Sequence, residues 1–558
     1  MQAMDFIHQV FLVKVQKRSF DWTMPHQPIF KRGESRGTAF YLQYKKKMHL
    51  VTCFHVISDA YLINISSPSI GSKEHVCRVQ WICPELDLAV LEVLPPLSSD
   101  KIDKQEQPIF SPKHGLLPLE NKSFKKGMVP APPIGSVTRA VGFPLGQTHI
   151  KITQGILSGQ QHGLYQTDAA INGGNSGGPL IFNNKVLGVN ARGYVIAQNI
   201  AYAIPIQCLL NIIDFHTAHP KIYKIDFPRT WGMEIFPPAL RLLPSNKECS
   251  IGQNQKCGVE VGKVYPDQLL AKTSIKKGDI ILSINSMPIS SIGELPITWM
   301  KQKMTLFNLL YHIKPGDTVD IEYLPGGKGK KRTEHIVFRP ESHAIKYRRW
   351  HEEHEKIPFL YMCGIVLVPF SDSIMDMRYS YLHDPKSEYR SENPILFKTV
   401  AVDNTTLLTR MQPEHWNKGS VIITNILKGS MMEEAHILKI GELIDTINDK
   451  KITSIEDAEK IIIQQLKKKQ DVLIKTVSDR TIRISPKIFQ EEEEKLSKIY
   501  NYQSPFHPLL NIQPTTEPSK KKQQQSIVQP QQQKQKHTVQ QKKQTVQQQS
   551  PTATITST

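Results

Sequence analysis

The chain has 558 residues, with 70 lysines and arginines against 51 aspartates and glutamates, which gives a formal net charge of +19. That length exceeds what one hydrophobic core supports, so several domains are expected. Its seven cysteines are odd in number and scattered, which excludes a disulfide framework and a paired Cys-x-x-Cys metal site. No run approaches the ~20 apolar residues of a membrane span, and the first residues lack a signal-peptide pattern. We therefore expect an intracellular protein, cytoplasmic or nuclear, without a membrane segment, metal or cofactor.

The first strand-like runs of the chain stand next to ionisable residues. Residues 50–57, Leu-Val-Thr-Cys-Phe-His-Val-Ile, place His55 at the end of an apolar run. Asp87 stands just ahead of the β-rich run Leu-Ala-Val-Leu-Glu-Val. Taken alone, His55 is interpreted as a core histidine and Asp87 as a strand-end residue. Together they are the imidazole and carboxylate that a hydroxyl nucleophile needs as its base.

A glycine-rich turn follows at residues 167–180, Thr-Asp-Ala-Ala-Ile-Asn-Gly-Gly-Asn-Ser-Gly-Gly-Pro-Leu. Glycines let the backbone bend enough to aim the N–H groups of Gly174 and Ser176 at one point, as an oxyanion hole requires. The order His55, Asp87, Ser176 is that of the chymotrypsin-type double barrel. We therefore predict a triad in which Ser176 attacks a carbonyl, His55 transfers protons and Asp87 orients the imidazole.

The residue six positions before the nucleophile lies at the base of the specificity pocket in chymotrypsin-like enzymes. Here it is Ala170, so no carboxylate is present to pair with a basic side chain. We expect cleavage after small or medium aliphatic residues. Asp168 is two residues away and is interpreted as a strand-end residue that accepts backbone N–H groups.

Several motifs together resemble the HtrA/DegP (Deg) family of serine proteases. They are Thr52-x-x-His55-Val56, Asp87-Leu-Ala-Val-Leu, Ala-Val-Gly-Phe-Pro-Leu-Gly at 140–146, the nucleophile turn, and Asn-Ile-Ala-Tyr-Ala-Ile-Pro-Ile at 199–206. Segments 22–27 and 231–234 resemble the plant-type Deg branch. The resemblance implies a chymotrypsin-like double β-barrel acting without ATP on protein substrates. It also implies homo-oligomers, trimers or multiples of trimers, with Phe20 and Trp22 as contacts.

Three residues depart from the pattern of this family. The two positions before the histidine usually hold Asn and then Ala or Asn, whereas this chain has Cys53 and Phe54. We expect altered packing there and unchanged chemistry. Position 173 is often proline, and Gly173 is expected to loosen the loop that forms the oxyanion hole.

The protease domain is assigned to residues 1–220, and a repeated pattern follows it. A strand, a short helix and a Gly-Asp or Gly-Glu turn entering a second strand occur at 257–285 and again at 419–448. Both copies resemble the PDZ domains that follow HtrA protease domains. We assign PDZ-like α+β domains to 221–345 and 355–490 in a mainly β protein.

PDZ domains bind an extended peptide at a sheet edge and its terminal carboxylate at a loop. Trp231, Gly232 and Met233 align with that loop in the first module and are the predicted peptide-binding residues. Residues 361–365 align with it in the second module. The alternative is that both segments are ordinary strand entries and that the modules mediate oligomer contacts.

About a third of the excess positive charge lies in a Gln/Lys-rich tail, 512–558, which is predicted to be disordered. Its lysines lack interleaved aromatic residues, so no specific nucleic-acid partner is expected. The acidic run 491–494 is interpreted as an exposed helix face. The function predicted is an ATP-independent serine endopeptidase for misfolded or regulatory proteins. The alternatives are a chaperone or scaffold with secondary proteolysis, and a nucleic-acid-associated protein that uses the tail.

Overall fold

The computed structural model describes residues 8–67, 71–95, 115–119, 132–193, 199–228, 230–238, 258–297, 302–339, 346–376 and 404–510. The predicted tail lies outside these residues. The described part is mainly β, with two closed barrels followed by two α+β sheets, which confirms the predicted fold class. Among these residues, no helix combines the length and apolar character that crossing a bilayer requires.

The first barrel consists of six antiparallel strands in the closed order β1-β2-β3-β6-β5-β4. The strands are β1 (Val10–Ser19), β2 (Ile29–Tyr44), β3 (Lys47–Cys53), β4 (Ala60–Ser67), β5 (Gly71–Cys83) and β6 (Leu88–Val93), and the short helix α1 (Phe54–Ile57) follows β3. Strand β3 pairs with β6 so that Cys53 lies opposite Leu88. This register brings the residues just after β3 next to the residue just before β6.

The second barrel repeats this plan in the closed order β10-β11-β12-β9-β8-β7. Its strands are β7 (Val137–Gly142), β8 (Lys151–Gln161), β9 (Leu164–Thr167), β10 (Pro179–Phe182), β11 (Lys185–Gly193) and β12 (Ala201–Pro205), followed by helix α2 (Ile206–Ala218). The glycine-rich turn with Ser176 connects β9 to β10. It therefore lies on the opposite barrel from His55 and Asp87, and the two barrels must meet to form a triad.

The first PDZ-like module has a sheet in the order β13-β14-β15-β19-β20, with β16 beside β15. Its elements are β13 (Met233–Phe236), β14 (Val259–Val264), β15 (Ile280–Ile284), β16 (Met287–Pro288), the hairpin β17 (Glu294–Ile297) and β18 (Gln302–Thr305), α3 (Leu306–Leu309), β19 (Thr318–Leu324) and β20 (Arg332–Val337).

The second module has the same strand order with one strand added at the edge, β21-β22-β23-β24-β26-β27, and β25 beside β24. Its strands are β21 (Leu360–Met362), β22 (Ile365–Pro369), β23 (Val421–Ile426), β24 (Leu443–Ile447), β25 (Lys450–Lys451), β26 (Val472–Thr476) and β27 (Thr481–Ile484). Its helices are α4 (Asn404–Arg410), α5 (Met431–Ala435), α6 (Ile455–Lys467), α7 (Pro486–Tyr500) and α8 (His507–Leu510). The domain end predicted at residue 490 falls inside α7.

The interpretation of residues 491–494 as an exposed helix face is wrong for two of the four glutamates. Glu492 and Glu493 are buried, at 9% and 0% exposure. They share the inner face of α7 with Phe489 and Leu496, because residues three and four apart lie on one side of a helix. A run of like charges hides this periodicity in the sequence.

The second module packs against the N-terminal segment of the first barrel. Trp22 is buried in one apolar cluster with Tyr347, Ile357 and Phe370, and Phe20 packs against that cluster. Arg18 forms a two-bond ion pair with Glu353, at 2.8 and 2.7 Å. The aromatic residues assigned above to oligomer contacts thus pack within the chain.

Candidate active site

Strand pairing brings His55 and Asp87 into direct contact. Oδ2 of Asp87 lies 2.7 Å from Nδ1 of His55, and Oδ1 accepts the backbone N–H of His55 at 2.8 Å. Asp87 adopts a left-handed backbone conformation with φ of 54° at the end of the turn before β6. Because the carboxylate accepts, Nδ1 carries the proton and Nε2 keeps the lone pair that a general base needs.

The hydroxyl of Ser176 is hydrogen-bonded to β11, the strand that pairs with the β10 strand following the nucleophile turn. Oγ donates to the carbonyl of Ala191 at 2.7 Å. A hydroxyl has one proton to donate, so this bond and donation to His55 exclude each other. Rotation of the Ser176 side chain away from Ala191 is therefore required before His55 can take its proton.

Close backbone packing determines the shape of the predicted oxyanion loop. Gly174 has φ of +100°, and a Cβ placed there would lie 2.3 Å from the carbonyl oxygen of Phe143. The carbonyl of Gly173 accepts the N–H of Leu145. Since the peptide is planar and trans, the N–H of Gly174 points away from Leu145. At Gly173 a Cβ would meet no atom within 4 Å.

Thr38 of strand β2, on the first barrel, holds this loop from the other side. Its N–H donates to the carbonyl of Ser176 at 2.9 Å, and its hydroxyl donates to the carbonyl of Gly174 at 2.6 Å. Thr38 is fully buried, and its Oγ1 also accepts the N–H of Phe143. Sequence reasoning missed this residue, because a single threonine inside a strand carries no motif.

Ala170 and Asp168 lie at the start of the nucleophile turn. Ala170 is exposed, and its carbonyl accepts the hydroxyl of Thr153 at 2.8 Å. Oδ1 of Asp168 accepts the N–H of Ile156 at 2.6 Å. The interpretation of Asp168 as a residue that bonds backbone N–H groups is confirmed.

Residues 346–357, which connect the two PDZ-like modules, pack on the turn that carries His55. The ring of Phe54 meets that of His351 edge-on, with centroids 4.8 Å apart. Nε2 of His354 lies 3.1 Å from the carbonyl of Ile57, and its Nδ1 lies 2.8 Å from the hydroxyl of Tyr223. A carbonyl only accepts, so Nε2 carries the proton and Tyr223 donates to Nδ1.

Burial keeps both histidines of this segment neutral. It lowers the pKa of His351 to about 3 and also lowers the pKa of His354. The packing accounts for Phe54, where the family usually has a smaller residue, since the ring fills the space between α1 and residues 351–354.

A cavity of about 930 Å³ lies beside the His55–Asp87 pair. Arg349, Trp350 and Glu352 form part of its far wall, together with Ser373 and Asp376. The connecting segment therefore supports the histidine turn and also borders the cleft in front of it. Nothing in the sequence pattern connects residues 349–376 with a site some 300 positions earlier.

Cys53, His55 and Asp87 together offer three ligand atoms within 4.8 Å of one another, a spacing compatible with a metal ion. Cys53 is fully buried, and its thiol donates to the carbonyl of Asn190 at 3.3 Å. Burial raises the pKa of this thiol well above its usual range, which disfavours the thiolate that binds metals. The three residues are therefore better described as a hydrogen-bonded His55–Asp87 pair beside a buried thiol than as a metal site.

The segment predicted to bind peptides in the first module is placed at the entry of β13. Trp231 is fully buried and donates its indole N–H to the carbonyl of Leu306 at 2.8 Å. Gly232 has φ of +78° and donates its N–H to Thr230 Oγ1 at 2.9 Å. Met233 is buried and pairs with Val264.

Comparison with known proteins gives two domain matches. A trypsin-like peptidase domain matches residues 37–189, which include all three predicted triad residues, and a PDZ domain matches residues 247–303. The curated relatives are named Do-like and DegP-like proteases. The chain thus has a trypsin-like peptidase domain followed by a PDZ domain, and the curated relatives that it resembles are proteases of the HtrA/Deg type.

Three relatives in this family illustrate the extent of the similarity. Protease Do-like 4, mitochondrial, of Arabidopsis thaliana is 25% identical over 62% of this chain and 61% of its own length. Protease Do-like 2, chloroplastic, of the same plant is 28% identical over 47% of this chain and 44% of its own length. A probable DegP-like periplasmic serine endoprotease of Pseudomonas putida is 26% identical over 58% of this chain and 62% of its own length. The chain thus spans about half to three fifths of these relatives.

Solved HtrA-type structures match the same part of the chain. The HtrA-type protease AlgW with decapeptide covers 60% of this chain and 96% of its own, at 24% identity and a TM-score of 0.38. The match to a serine endoprotease from Yersinia pestis covers 59% of this chain and 93% of that protein, at 23% identity and a TM-score of 0.36.

The expectation of a cytoplasmic or nuclear location is wrong. The relatives are named mitochondrial, chloroplastic or periplasmic proteins. The cysteine pattern excludes only a disulfide framework, and compartments without such frameworks cannot be told apart by it.

The two glycines before the nucleophile provide a matched pair of variants. Gly174→Ala is expected to lower kcat by about 100- to 1,000-fold, because a Cβ there displaces the oxyanion donor. Gly173→Ala is expected to keep full activity and to raise the free energy of unfolding by about 0.4–1 kcal/mol, because the site is open. Steady-state peptide hydrolysis and denaturant unfolding measure both effects. Equal activity of the two variants would contradict this account of the loop.

The contact between Phe54 and residues 351–354 is expected to affect catalysis through His55. Phe54→Ala removes the ring that supports the histidine turn, and displacements of ~1 Å cost about 100-fold in rate, so kcat should fall about 10- to 100-fold. The Michaelis constant should change little, because the substrate contacts remain. Phe54→Leu should restore most of kcat, and Phe30→Ala, at an exposed site of the same barrel, is the control. A change confined to KM would show that the segment acts on substrate binding instead.

Proposed function

We propose that this protein is a serine endopeptidase that hydrolyses peptide bonds through His55, Asp87 and Ser176. The observation that carries the proposal is that the carboxylate of Asp87 accepts two hydrogen bonds from His55, one from its ring N–H and one from its backbone N–H. That contact selects one tautomer and leaves Nε2 as a base. The trypsin-like domain match over residues 37–189 supports the same reading.

The reaction starts with rotation of Ser176 from Ala191 to His55. His55 Nε2 removes the proton while Oγ attacks the scissile carbonyl, and Asp87 stabilises the imidazolium. The N–H groups of Gly174 and Ser176 stabilise the oxyanion. His55 then protonates the leaving amine. Water next attacks the acyl-enzyme while His55 removes its proton, and His55 returns that proton to Ser176 Oγ as the acyl bond breaks.

Peptide capture is proposed for the first module. Strand β13, which follows Trp231 and Gly232, pairs with β14 on one side and has no strand partner on its other side among the described residues. An extended peptide adds to such an edge through main-chain hydrogen bonds. Captured substrates are unfolded or regulatory proteins, cleaved without ATP. Assembly into trimers remains a prediction from the family.

A second candidate function is client binding with little cleavage, as in a chaperone or scaffold. The bond between Ser176 and Ala191 favours it, because a hydroxyl held there is not activated. The two candidates differ in the reactivity of one serine.

Labelling with a fluorophosphonate separates them. The wild-type chain is expected to be labelled at Ser176 and to cleave unfolded casein, whereas Ser176→Ala should do neither. His55→Ala should slow labelling by several orders of magnitude, because the base is lost. Casein cleavage by Ser176→Ala at the wild-type rate would refute the proposed triad. Intact casein binding without any labelling of the wild type would favour the chaperone.

The side chain at position 170 is proposed to set the preference for small or medium aliphatic residues. Ala170→Asp should raise kcat/KM for lysine or arginine relative to valine substrates by about 10-fold or more, because a charge-assisted hydrogen bond is worth roughly 1.5–3 kcal/mol. Ala170→Asn is the uncharged control of similar size. Equal shifts for both variants would place the determinant elsewhere.

A further inference from the structure

The two PDZ-like modules differ at the edge where peptides add to this fold. The strand order β13-β14-β15 of the first module corresponds to β22-β23-β24 of the second. In the second module the chain's own β21 pairs with β22, from Met362 opposite Ile365 to Leu360 opposite Leu367. The second module therefore carries a strand of its own at the position of a bound peptide.

The turn between β21 and β22 aligns with the PDZ loop that binds a carboxylate. In this structure the carboxylate of Glu493 contacts that turn. Cys363 and Gly364 form this turn with φ of 46° and 97°. The N–H of Cys363 donates to Oε1 of Glu493 at 2.7 Å. The hydroxyl of Tyr502 lies 3.4 Å from the same oxygen. A side-chain carboxylate thus contacts the turn that aligns with the carboxylate-binding loop.

Helix α7 and its neighbours enclose this contact completely. Glu493 is fully buried, and a Cβ at Gly364 would lie 2.3 Å from Cβ of Ser430 and 3.4 Å from Leu496. Burial raises the pKa of Glu493 to about 7, although the N–H of Cys363 favours the ionised form. Ser430 and Leu496 thus pack closely against the turn at Gly364 while α7 is docked.

The protease domain contributes to holding this arrangement. His26, from the loop between β1 and β2, has Nε2 2.9 Å from the carbonyl of Tyr500 and Nδ1 2.7 Å from the hydroxyl of Tyr361. Tyr361 in turn stacks on Tyr502, with ring centroids 4.2 Å apart. One loop of the first barrel thus bonds both β21 and the end of α7.

We propose that the turn at Cys363–Gly364 is a carboxylate-binding site occupied by the chain's own Glu493. The second module then holds a segment of this chain in the place where PDZ domains hold a peptide terminus. Free peptide termini are excluded from it as long as α7 stays docked. The inference is independent of the proteolytic activity proposed above.

Rescue by a small carboxylate tests this site in the full-length chain. Glu493→Ala leaves a cavity and an unpaired N–H at Cys363, so acetate should enter and restore the bond. Hydrogen exchange of the Cys363 amide, measured at about pH 8, above the pKa of Glu493, should accelerate at least about tenfold in the variant and slow again with acetate. The unfolding temperature should rise with acetate in a saturable way, by about 2 °C or more.

The controls separate a carboxylate site from ordinary packing. Glu491→Ala, on the exposed side of α7, should show no acetate effect, and sodium chloride at equal ionic strength should not replace acetate. Glu493→Gln keeps a hydrogen-bond acceptor and fills the cavity, so this variant should fold normally. Its Cys363 amide should exchange only moderately faster than in the wild type, and acetate should not change that rate. Failure of acetate to slow exchange in Glu493→Ala would overturn the proposal. If Glu493→Ala does not fold, unchanged Cys363 exchange in Glu493→Gln would overturn it.

Discussion

The carboxylate of Asp87 reaches across two paired strands to hold both the ring and the backbone of His55, and the rest of the catalytic arrangement depends on that contact. It exists because β3 and β6 are neighbours in the first barrel and pair with Cys53 opposite Leu88. A shift of register by one residue would move Asp87 away from His55 and turn its side chain to the other face. Barrel closure is therefore a condition for the tautomer on which base catalysis depends.

The nucleophile belongs to the second barrel, and Thr38 bonds its turn across the interface between the barrels. Two of its bonds end on the carbonyls of Gly174 and Ser176, the residues predicted to form the oxyanion hole. A buried hydrogen bond of this kind costs more to leave unmade than it contributes when formed, so it specifies one position of the turn. In this arrangement the hydroxyl of Ser176 is bonded to Ala191, and the proposed reaction requires that bond to break.

Sequence reasoning was most effective where a residue type stands beside a strand-like run. It singled out His55 and Asp87, which the structure places in contact, whereas the catalytic role of Ser176 stays a prediction. The repeated Gly-Asp and Gly-Glu turns predicted two related modules. It failed where the deciding partner lies far along the chain. Thr38, Phe54 and Glu493 act through contacts with residues 105 to 300 positions away, and no local pattern marks them. The compartment was predicted wrongly because composition is a coarse guide to location.

The two PDZ-like modules share one strand order but differ in what lies beside their edge strands. An open edge at β13 is a liability in a free protein unless something pairs with it, and a peptide ligand is the usual partner. At β22 the chain supplies its own partner in β21, and Glu493 supplies the charge that a bound terminus would bring. With the N–H of Cys363 and the edge of β22 satisfied internally, the second module has its remaining surface available for docking. That surface meets Phe20, Trp22 and His26 of the protease barrel, and the segment leading into it packs on Phe54. The module whose edge strand is paired with its own chain is thus the one whose connecting segment packs beside His55.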